Sequence, residues 1–248
     1  MEFDVLQLAV FLTATFVAAV VAGVSGFAFA LIAAAVWLHV LNPIQVATLI
    51  AGYGLMVQGY GTWKLRHAIR WSRIWPFLVG GAPGVAVGVI VLRWANPDHL
   101  RAGVGAFLVL FSLYSLLRPT VQPMQGGTAA DIFVGFLSGT LGAVTGFAGI
   151  LIVIWSGLRG WTPDEQRGVF QPASVAMLLM CGLALGFTGS ISSDTAVLFL
   201  FGLPALAAGT WAGFALYGKI DAAAFRRITL VLLLLSGVPL IARPLLGG

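Results

Sequence analysis

Apolar residues follow one another along this chain in ten stretches, interrupted by charged or turn-forming residues. A helix that crosses a membrane needs roughly 20 apolar residues. Because lipid cannot form hydrogen bonds with backbone N–H and C=O groups, each stretch predicts a helix. The stretches cover residues 4–22, 27–41, 44–62, 74–93, 99–117, 131–145, 147–159, 163–187, 194–217 and 222–242. The second and the seventh are too short to cross comfortably, and each follows a glycine-containing break. The pattern predicts an all-α, polytopic membrane protein with half-helices.

Composition supports a chain that is surrounded by lipid. Of its 248 residues, 60% are hydrophobic and 8% are charged, and the mean hydropathy is +1.02. Soluble domains carry roughly 25% charged residues, so a cytoplasmic enzyme, a nucleic-acid binder and a disordered chain are excluded. The net charge of +5 comes from basic residues that flank apolar stretches, not from a continuous basic stripe. Glu2 and Asp4 make the N-terminus acidic, whereas a secretory signal starts basic, so we expect the first stretch to remain in the fold.

The two halves of the chain resemble each other. Matching positions recur at an offset of 120 or 121, which predicts an internal duplication. They are Ser25-Gly26-Phe27 with Thr145-Gly146-Phe147, Asn42-Pro43 with Thr162-Pro163, Pro83 with Pro204, and Gly88 with Gly209. The predicted organisation is repeat 1 at residues 1–118, a polar linker at 119–130, and repeat 2 at 131–248, with about five helical segments in each repeat.

Basic residues predict the orientation of the repeats. The loop from Lys64 to Arg73 is the most basic stretch, so the positive-inside rule places it in the cytoplasm. Threading ten segments from an outside N-terminus places ten of the thirteen basic residues inside, and only Arg93, Arg101 and Arg243 outside. An odd number of crossings in each half makes the repeats inverted. If the short stretches are re-entrant hairpins, the number of crossings falls below ten.

The two glycine-containing breaks are the main candidates for a substrate site. Glycine lets a helix unwind, and the half-helix beyond would present free N–H groups and a positive dipole end to an anion. Inverted repeats place such breaks near the membrane midplane. The alternative is that these glycines only let helices pack closely. The predicted substrate-binding residues here are Gly23, Ser25, Gly26, Phe27, Thr145, Gly146 and Phe147.

Two polar residues of the second half extend the predicted site. Gln171, which precedes Pro172 inside an apolar stretch, could donate to an oxyanion or satisfy the carbonyl that the proline frees. Arg159 could bind an oxyanion with its guanidinium, or anchor the topology near Asp164 and Glu165. Gln58 and Tyr60 are weaker candidates, which we interpret as interfacial.

Other chemistry lacks its usual residues. The three histidines are far apart and the eight acidic residues lie at or near segment ends, so neither a metal site nor a catalytic carboxylate is predicted. The single cysteine, Cys181, offers no disulfide. We therefore expect no enzyme activity and no cofactor. Glycines at four-residue spacing, Gly80, Gly84 and Gly88 and again Gly209 and Gly213, predict helix-packing faces within the chain or between protomers.

These features resemble the TauE/SafE, or sulfite exporter, family of membrane transporters. The resemblance rests on the break with Gly-Phe in each half, on the Gly-Pro-rich helices near Gly80–Gly88 and Gly202–Gly209, and on the stretch from Lys219 to Arg227 before a leucine-rich helix. It implies export of sulfite, or of a small organosulfonate such as sulfoacetate, across the bacterial inner membrane, without a metal or nucleotide cofactor.

The sequence thus predicts a multi-pass transporter that exports a small oxyanion, driven by the membrane potential or by protons. Its expected partners are the anion and the lipid bilayer, with no nucleic acid, and its glycine-rich helix faces allow a homo-oligomer. The alternatives are a membrane scaffold whose glycines serve packing alone, or a transporter of another small anion such as a carboxylate.

Overall fold

The described residues of the protein form helices joined by short loops, with no strand among them. The computed structural model describes residues 4–25, 28–64, 66–117, 124–187, 189, 191–216, 230–231, 233–235 and 237–242, without the side chains of 25, 68, 163 and 164. The helices are α1 (Val5–Ser25), α2 (Phe29–Trp37), α3 (Pro43–Lys64), α4 (Trp71–Trp94), α5 (Pro97–Leu117), α6 (Thr128–Thr145), α7 (Ile150–Leu158), α8 (Pro163–Phe187) and α9 (Ser193–Leu216), with a 3₁₀ turn at Arg66–Ala68.

These helices confirm the predicted all-α, polytopic architecture. Six of them, α1, α4, α5, α6, α8 and α9, are long and apolar enough to cross a membrane, and an apolar helix also covers Leu233–Ala242. Helix α3 is as long, with 22 residues, but more polar. Helices α2 and α7 have nine residues each, a rise of only about 13 Å against a hydrocarbon core of about 30 Å. The two short stretches are therefore half-helices in length.

The chain forms two compact units, and each takes helices from both halves of the sequence. One unit comprises residues 1–50, 95–119 and 191–248, and the other comprises 51–94 and 120–190. In the first unit α1 packs against α9, and in the second unit α6 packs against α4. At the repeat offset α6 is the counterpart of α1 and α9 is the counterpart of α4. The two helix pairs, α1 with α9 and α6 with α4, therefore consist of corresponding helices of the repeat.

Helices α3 and α8 begin with the same local structure, which explains one of the repeated dipeptides. Asn42 accepts the N–H of Gln45, whose side chain accepts the N–H of Asn42 in return. Thr162 and Glu165 make the same reciprocal pair of bonds 120 residues later. Such a capping box satisfies two free N–H groups at a helix start, and a proline in the next position loses no helical bond there.

Glycines bring the crossing helices of each unit into backbone contact. A Cβ on Gly80 or Gly84 of α4 would overlap the carbonyl oxygen of Ile132 or Phe136 of α6. In the other unit, a Cβ on Gly209 or Gly213 of α9 would overlap the carbonyl oxygen of Phe16 or Val20 of α1. The glycine-rich faces predicted from four-residue spacing are thus covered within the chain.

Both short helices fold back along the preceding helix. Trp37, at the end of α2, directs its indole N–H to the Phe11 carbonyl at 3.4 Å, and the Gln7 amide donates to the Val40 carbonyl at 2.7 Å. In the other unit, Trp155 near the end of α7 donates to Asp131 in the first turn of α6 at 2.7 Å. Each short helix therefore returns the chain to the end at which its preceding helix begins.

Candidate functional site

The break of the second half lies at the C-terminal end of α6. Gly146 caps this helix in a left-handed conformation, with φ of 82°, which an L side chain adopts only with strain. Gly142 lies one turn earlier, and a Cβ there would come within 2.7 Å of Ala148. These two glycines let the chain reverse, and α7 then begins at Ile150 without a side-chain cap. The N–H groups of its first turn have no helical acceptor of their own.

The hydroxyl of Thr145 is used to hold this reversal. It donates to the Leu141 carbonyl at 2.6 Å and accepts the N–H of Phe147 at 3.2 Å. Phe147 itself is buried. Thr145 and Phe147, both predicted to contact substrate, therefore shape the turn in this structure. The Thr145 hydroxyl proton is already donated to the Leu141 carbonyl.

The break of the first half falls largely outside the described residues. Gly26, Phe27 and the side chain of Ser25 are not among them. Gly23 is described, and it lies against the backbone of α9, where a Cβ would come within 2.8 Å of the Gly213 Cα. Gly23 therefore has the close-packing role that was the alternative to a binding role.

Gln171 is the most unusual of the predicted site residues. Its side chain lies inside α8, is 4% exposed, and leaves Oε1 without a hydrogen-bond partner in the part of the chain that is described. The amide faces Gly61 of α3, where a Cβ would come within 2.8 Å of Nε2. It does not donate to the carbonyl that Pro172 frees, which was the alternative interpretation. A buried amide without a partner is costly in a membrane, so its retention needs a reason.

Two further polar groups are on α3 near Gly61, the residue that contacts Gln171. Gln58 is three residues before Gly61 and Thr62 is the residue after it, and in the described structure Gln58 Oε1 and Thr62 Oγ1 are buried without partners. Of the five such side-chain atoms among the described residues, three are therefore on α3 and α8. From the sequence, Gln58 was predicted to be interfacial and Thr62 was not among the candidates. The available signal was that both are polar and one turn apart on a long helix.

Arg159, by contrast, is paired. Its guanidinium donates from one nitrogen to both carboxylate oxygens of Asp131 at 2.9 and 3.1 Å, and it lies 5.0 Å from the ring of Trp161. Asp131 is buried in the first turn of α6 and also accepts the Trp155 indole N–H. The anchoring partner in the described structure is thus Asp131, 28 residues away in the sequence.

A second ion pair lies against the same tryptophan. Arg73, in the first turn of α4, donates to Glu165 of α8 at 2.9 Å and lies 4.8 Å from the ring of Trp161. The two arginines thus share one aromatic side chain. This cluster ties the ends of four helices together at the end of the unit that carries the Lys64–Arg73 loop.

No group of histidine, cysteine, aspartate and glutamate side chains that could hold a metal ion occurs in the described ranges. Gln58, Thr62 and Gln171 supply amides and a hydroxyl, whereas the carboxylates of Asp131 and Glu165 are paired with Arg159 and Arg73.

The comparisons with known proteins agree with the resemblance inferred from the motifs. No curated protein and no solved structure matches the chain significantly. The family model described as sulfite exporter TauE/SafE matches residues 11–240. Because this match covers most of the sequence, the chain belongs to the sulfite exporter TauE/SafE family.

Proposed function

We propose that this protein exports a small oxyanion, sulfite or an organosulfonate such as sulfoacetate, across the bacterial inner membrane. Family membership makes it a membrane transporter of the sulfite exporter type. The long apolar helices support a multi-pass membrane protein. The identity of the anion, the cytoplasmic position of the Lys64–Arg73 loop and the driving force are parts of the proposal.

The observation that carries the proposal is the buried, unpartnered amide of Gln171. An amide that held the fold together would have its hydrogen bonds within the protein. An amide that binds a transported substrate must be without hydrogen-bond partners between transport cycles. In a helix surrounded by lipid and apolar side chains, an intramembrane polar group marks a substrate route.

The two breaks contribute to the proposed site through their backbones. Thr145 and Gly146 fix the turn. The Ile150 N–H donates to the Phe147 carbonyl, so in this proposal the N–H groups that follow it in the first turn of α7 bind the anion. We assign Ser25, Gly26 and Phe27 the corresponding role in their own unit, and Phe147 the role of an apolar wall. Arg159 acts in this proposal as an anchor for α7.

The membrane potential is the proposed driving force. An inside-negative potential favours the exit of an anion by about 2.3 kcal/mol per charge per 100 mV. Among the described residues, no carboxylate lies in the middle of a helix to carry a coupling proton. A proton that travels on the substrate itself is the second option.

The test is anion flux in proteoliposomes with Gln171→Met, which keeps the length of the side chain and removes the amide. We expect sulfite and sulfoacetate flux to fall about tenfold or more, while thermal stability holds or rises, because an unsatisfied polar group is removed. Gln166→Met is the matched control on the same helix. Its amide donates to the Trp161 carbonyl at 2.8 Å, so this variant should keep its flux and lose about 1 kcal/mol of stability.

The opposite pattern, with Gln171→Met unstable but fully active, would assign Gln171 to packing. If wild type moves neither anion, the scaffold alternative or another substrate, such as a carboxylate, takes the place of this proposal. The flux of small carboxylates in wild type and in Gly146→Ala then separates these two. A scaffold moves none of them and tolerates the substitution apart from the strain at φ of 82°, whereas a transporter of another anion moves one of them and loses that flux in the variant.

A further inference from the structure

Helices α3 and α8 meet where Gly61 lies against the Gln171 amide, a contact that we call the α3–α8 crossing. Because Gly61 has no side chain, the amide lies directly against the α3 backbone. Gln58 is three residues before Gly61 and four before Thr62, so these residues share one side of α3. Gln58 Oε1, Thr62 Oγ1 and Gln171 Oε1 are all buried and without partners in the described structure. Buried polar atoms are normally paired, so three unpaired ones on these two helices indicate a ligand.

Thr62 differs from four other threonines within the described helices. Thr15, Thr48, Thr140 and Thr145 each donate to the carbonyl four residues earlier, at 2.6 to 3.0 Å. This local bond is the ordinary way in which a threonine is satisfied inside a membrane helix. Thr62 makes no such bond and leaves its hydroxyl oxygen buried. Its hydroxyl is therefore available to a bound molecule.

The chemistry of these groups is both donating and accepting. Each glutamine offers one acceptor oxygen and one NH₂ group whichever way its amide is turned, and the threonine hydroxyl offers both functions. Arg167 lies one turn before Gln171 on the same side of α8 and adds positive charge. A fitting ligand is an anion that also carries a hydrogen-bond donor. A sulfonate or an unprotonated dianion has no hydrogen-bond donor, and so leaves the acceptor oxygens of these side chains without a hydrogen bond.

We propose that the α3–α8 crossing is a selectivity site for a monoprotonated oxyanion, with hydrogen sulfite as the fitting case. This inference rests on the proposed function and names its substrate more narrowly. Gln58, Thr62 and Gln171 together accept the O–H of the ligand and donate to its other oxygens. Organosulfonates such as sulfoacetate and methanesulfonate, which carry no such proton at neutral pH, are then poor substrates.

The position of the crossing suits the first contact of an exporter. Gln58 lies six residues before Lys64, about 9 Å along the helix axis. On the proposed topology, the site is therefore reached from the cytoplasm after the basic loop.

The experiment compares the flux of sulfite with that of methanesulfonate in proteoliposomes at equal pH on both sides and zero potential. Methanesulfonate has a similar shape and one negative charge, and it lacks the proton. We expect wild type to carry sulfite about tenfold faster or more at mildly acidic pH, since a site built around a substrate O–H rejects analogues without it. That preference should shrink at mildly alkaline pH, where sulfite is the dianion.

Thr62→Val and Gln58→Leu should bring the ratio of the two fluxes close to one, while Thr62→Ser should preserve it. Thr48→Val is the control on the same helix, because it removes a hydroxyl that only bonds the Ile44 carbonyl. We expect this control to keep the ratio. Thermal unfolding of each variant separates a lost site from a lost fold.

Methanesulfonate also reports on titration of the protein, because its own charge is constant over this pH range. The charged and titratable side chains on the elements around the crossing include Tyr53, Tyr60, Lys64, Arg66, His67, Arg73, Arg93, Asp131, Arg159, Glu165, Arg167 and Cys181. A pH effect that is common to both anions comes from these groups, and one confined to sulfite comes from its own proton.

Equal flux of both anions in wild type would overturn the selectivity site and leave anion export in place. An unchanged preference in Thr62→Val and Gln58→Leu would also overturn it, since the crossing would then hold water alone. If neither anion moves, the proposed function fails and this inference fails with it.

Discussion

Among single residues, Arg159 and Gln171 are polar side chains of the predicted site that differ in their partners. Arg159 has its charge matched by Asp131 and lies against the ring of Trp161. Gln171 is buried, and its Oε1 has no partner among the described residues. A satisfied group stabilises one conformation, whereas an unsatisfied one gains its hydrogen bonds only when a ligand arrives. The candidate site is therefore defined by missing partners more than by polarity.

This distinction predicts the outcome of a double-mutant cycle at Asp131 and Arg159. Asp131→Asn should lower the free energy of unfolding by about 2 kcal/mol, because a charge-assisted bond is lost and a part-buried guanidinium is left without its counter-charge. Adding Arg159→Gln should cost less than the sum of the two single changes. Thermal unfolding in detergent measures the cycle. Under conditions where the double variant and wild type are equally folded, the double variant should still transport sulfite. A loss of sulfite flux under those conditions would instead indicate that Arg159 binds the substrate.

Residue roles were also the part of the site that sequence could predict least. The sequence shows that Gln171 is polar within an apolar stretch, but not whether a partner lies nearby. Gln58 and Thr62 are equally visible, yet their oxygens were not predicted to be buried, because burial there depends on where α8 crosses. The pairing of Asp131 with Arg159 likewise depends on α7 folding back along α6. Such contacts follow from tertiary structure and leave no local pattern.

Among whole elements, the first nine apolar stretches predicted the bounds of the described helices to within four residues at each end. The start of α4 shows one physical cause of the differences. This helix begins at Trp71, three residues before the apolar stretch, because the charged Arg73 is stable in a first turn at the membrane surface. Hydropathy detects the lipid-exposed part of a helix and misses that turn. The two short stretches, 27–41 and 147–159, were predicted too long, because apolar residues also occupy the turns that flank the nine-residue helices α2 and α7.

The contact between α4 and α6 predicts different results for two chemically identical substitutions. Gly84→Ala would place a methyl group onto the Phe136 carbonyl, and the helices must separate, which we expect to lower the free energy of unfolding by about 1 to 3 kcal/mol. Gly103→Ala on α5 has no atom within 4 Å of the new methyl group and should raise stability by about 0.5 to 1 kcal/mol. Thermal unfolding of both variants measures the difference. Similar values would mean that the glycines of α4 do not set the helix spacing.

At the scale of the whole molecule, the duplication is visible in sequence but the compact units are not. The offset of 120 predicted corresponding positions, and the reciprocal capping at Asn42 and Thr162 gives one of them a physical basis. The units interleave the halves, since α1 contacts α9 and α4 contacts α6. Similarity between the two halves shows which helices are counterparts in the repeat. The compact units depend instead on which helices pack against each other, and the sequence does not show this. The inverted orientation of the repeats stays a prediction.

The proposed driving force makes a prediction that concerns the transporter as a whole. A uniporter for a monoanion should accumulate sulfite about tenfold for each ~60 mV of imposed potential, because one charge gains about 1.4 kcal/mol over that range. An electroneutral carrier that moves a proton together with that monoanion should accumulate it according to the pH gradient and ignore the potential. Equilibrium accumulation in proteoliposomes, with a potassium gradient and an ionophore to set the potential, separates the two. Accumulation is a better measure than rate, because it counts the net charge moved in each cycle and does not depend on how many molecules are active. A slope of zero with potential and about tenfold per pH unit would replace uniport by proton-coupled export through the same site.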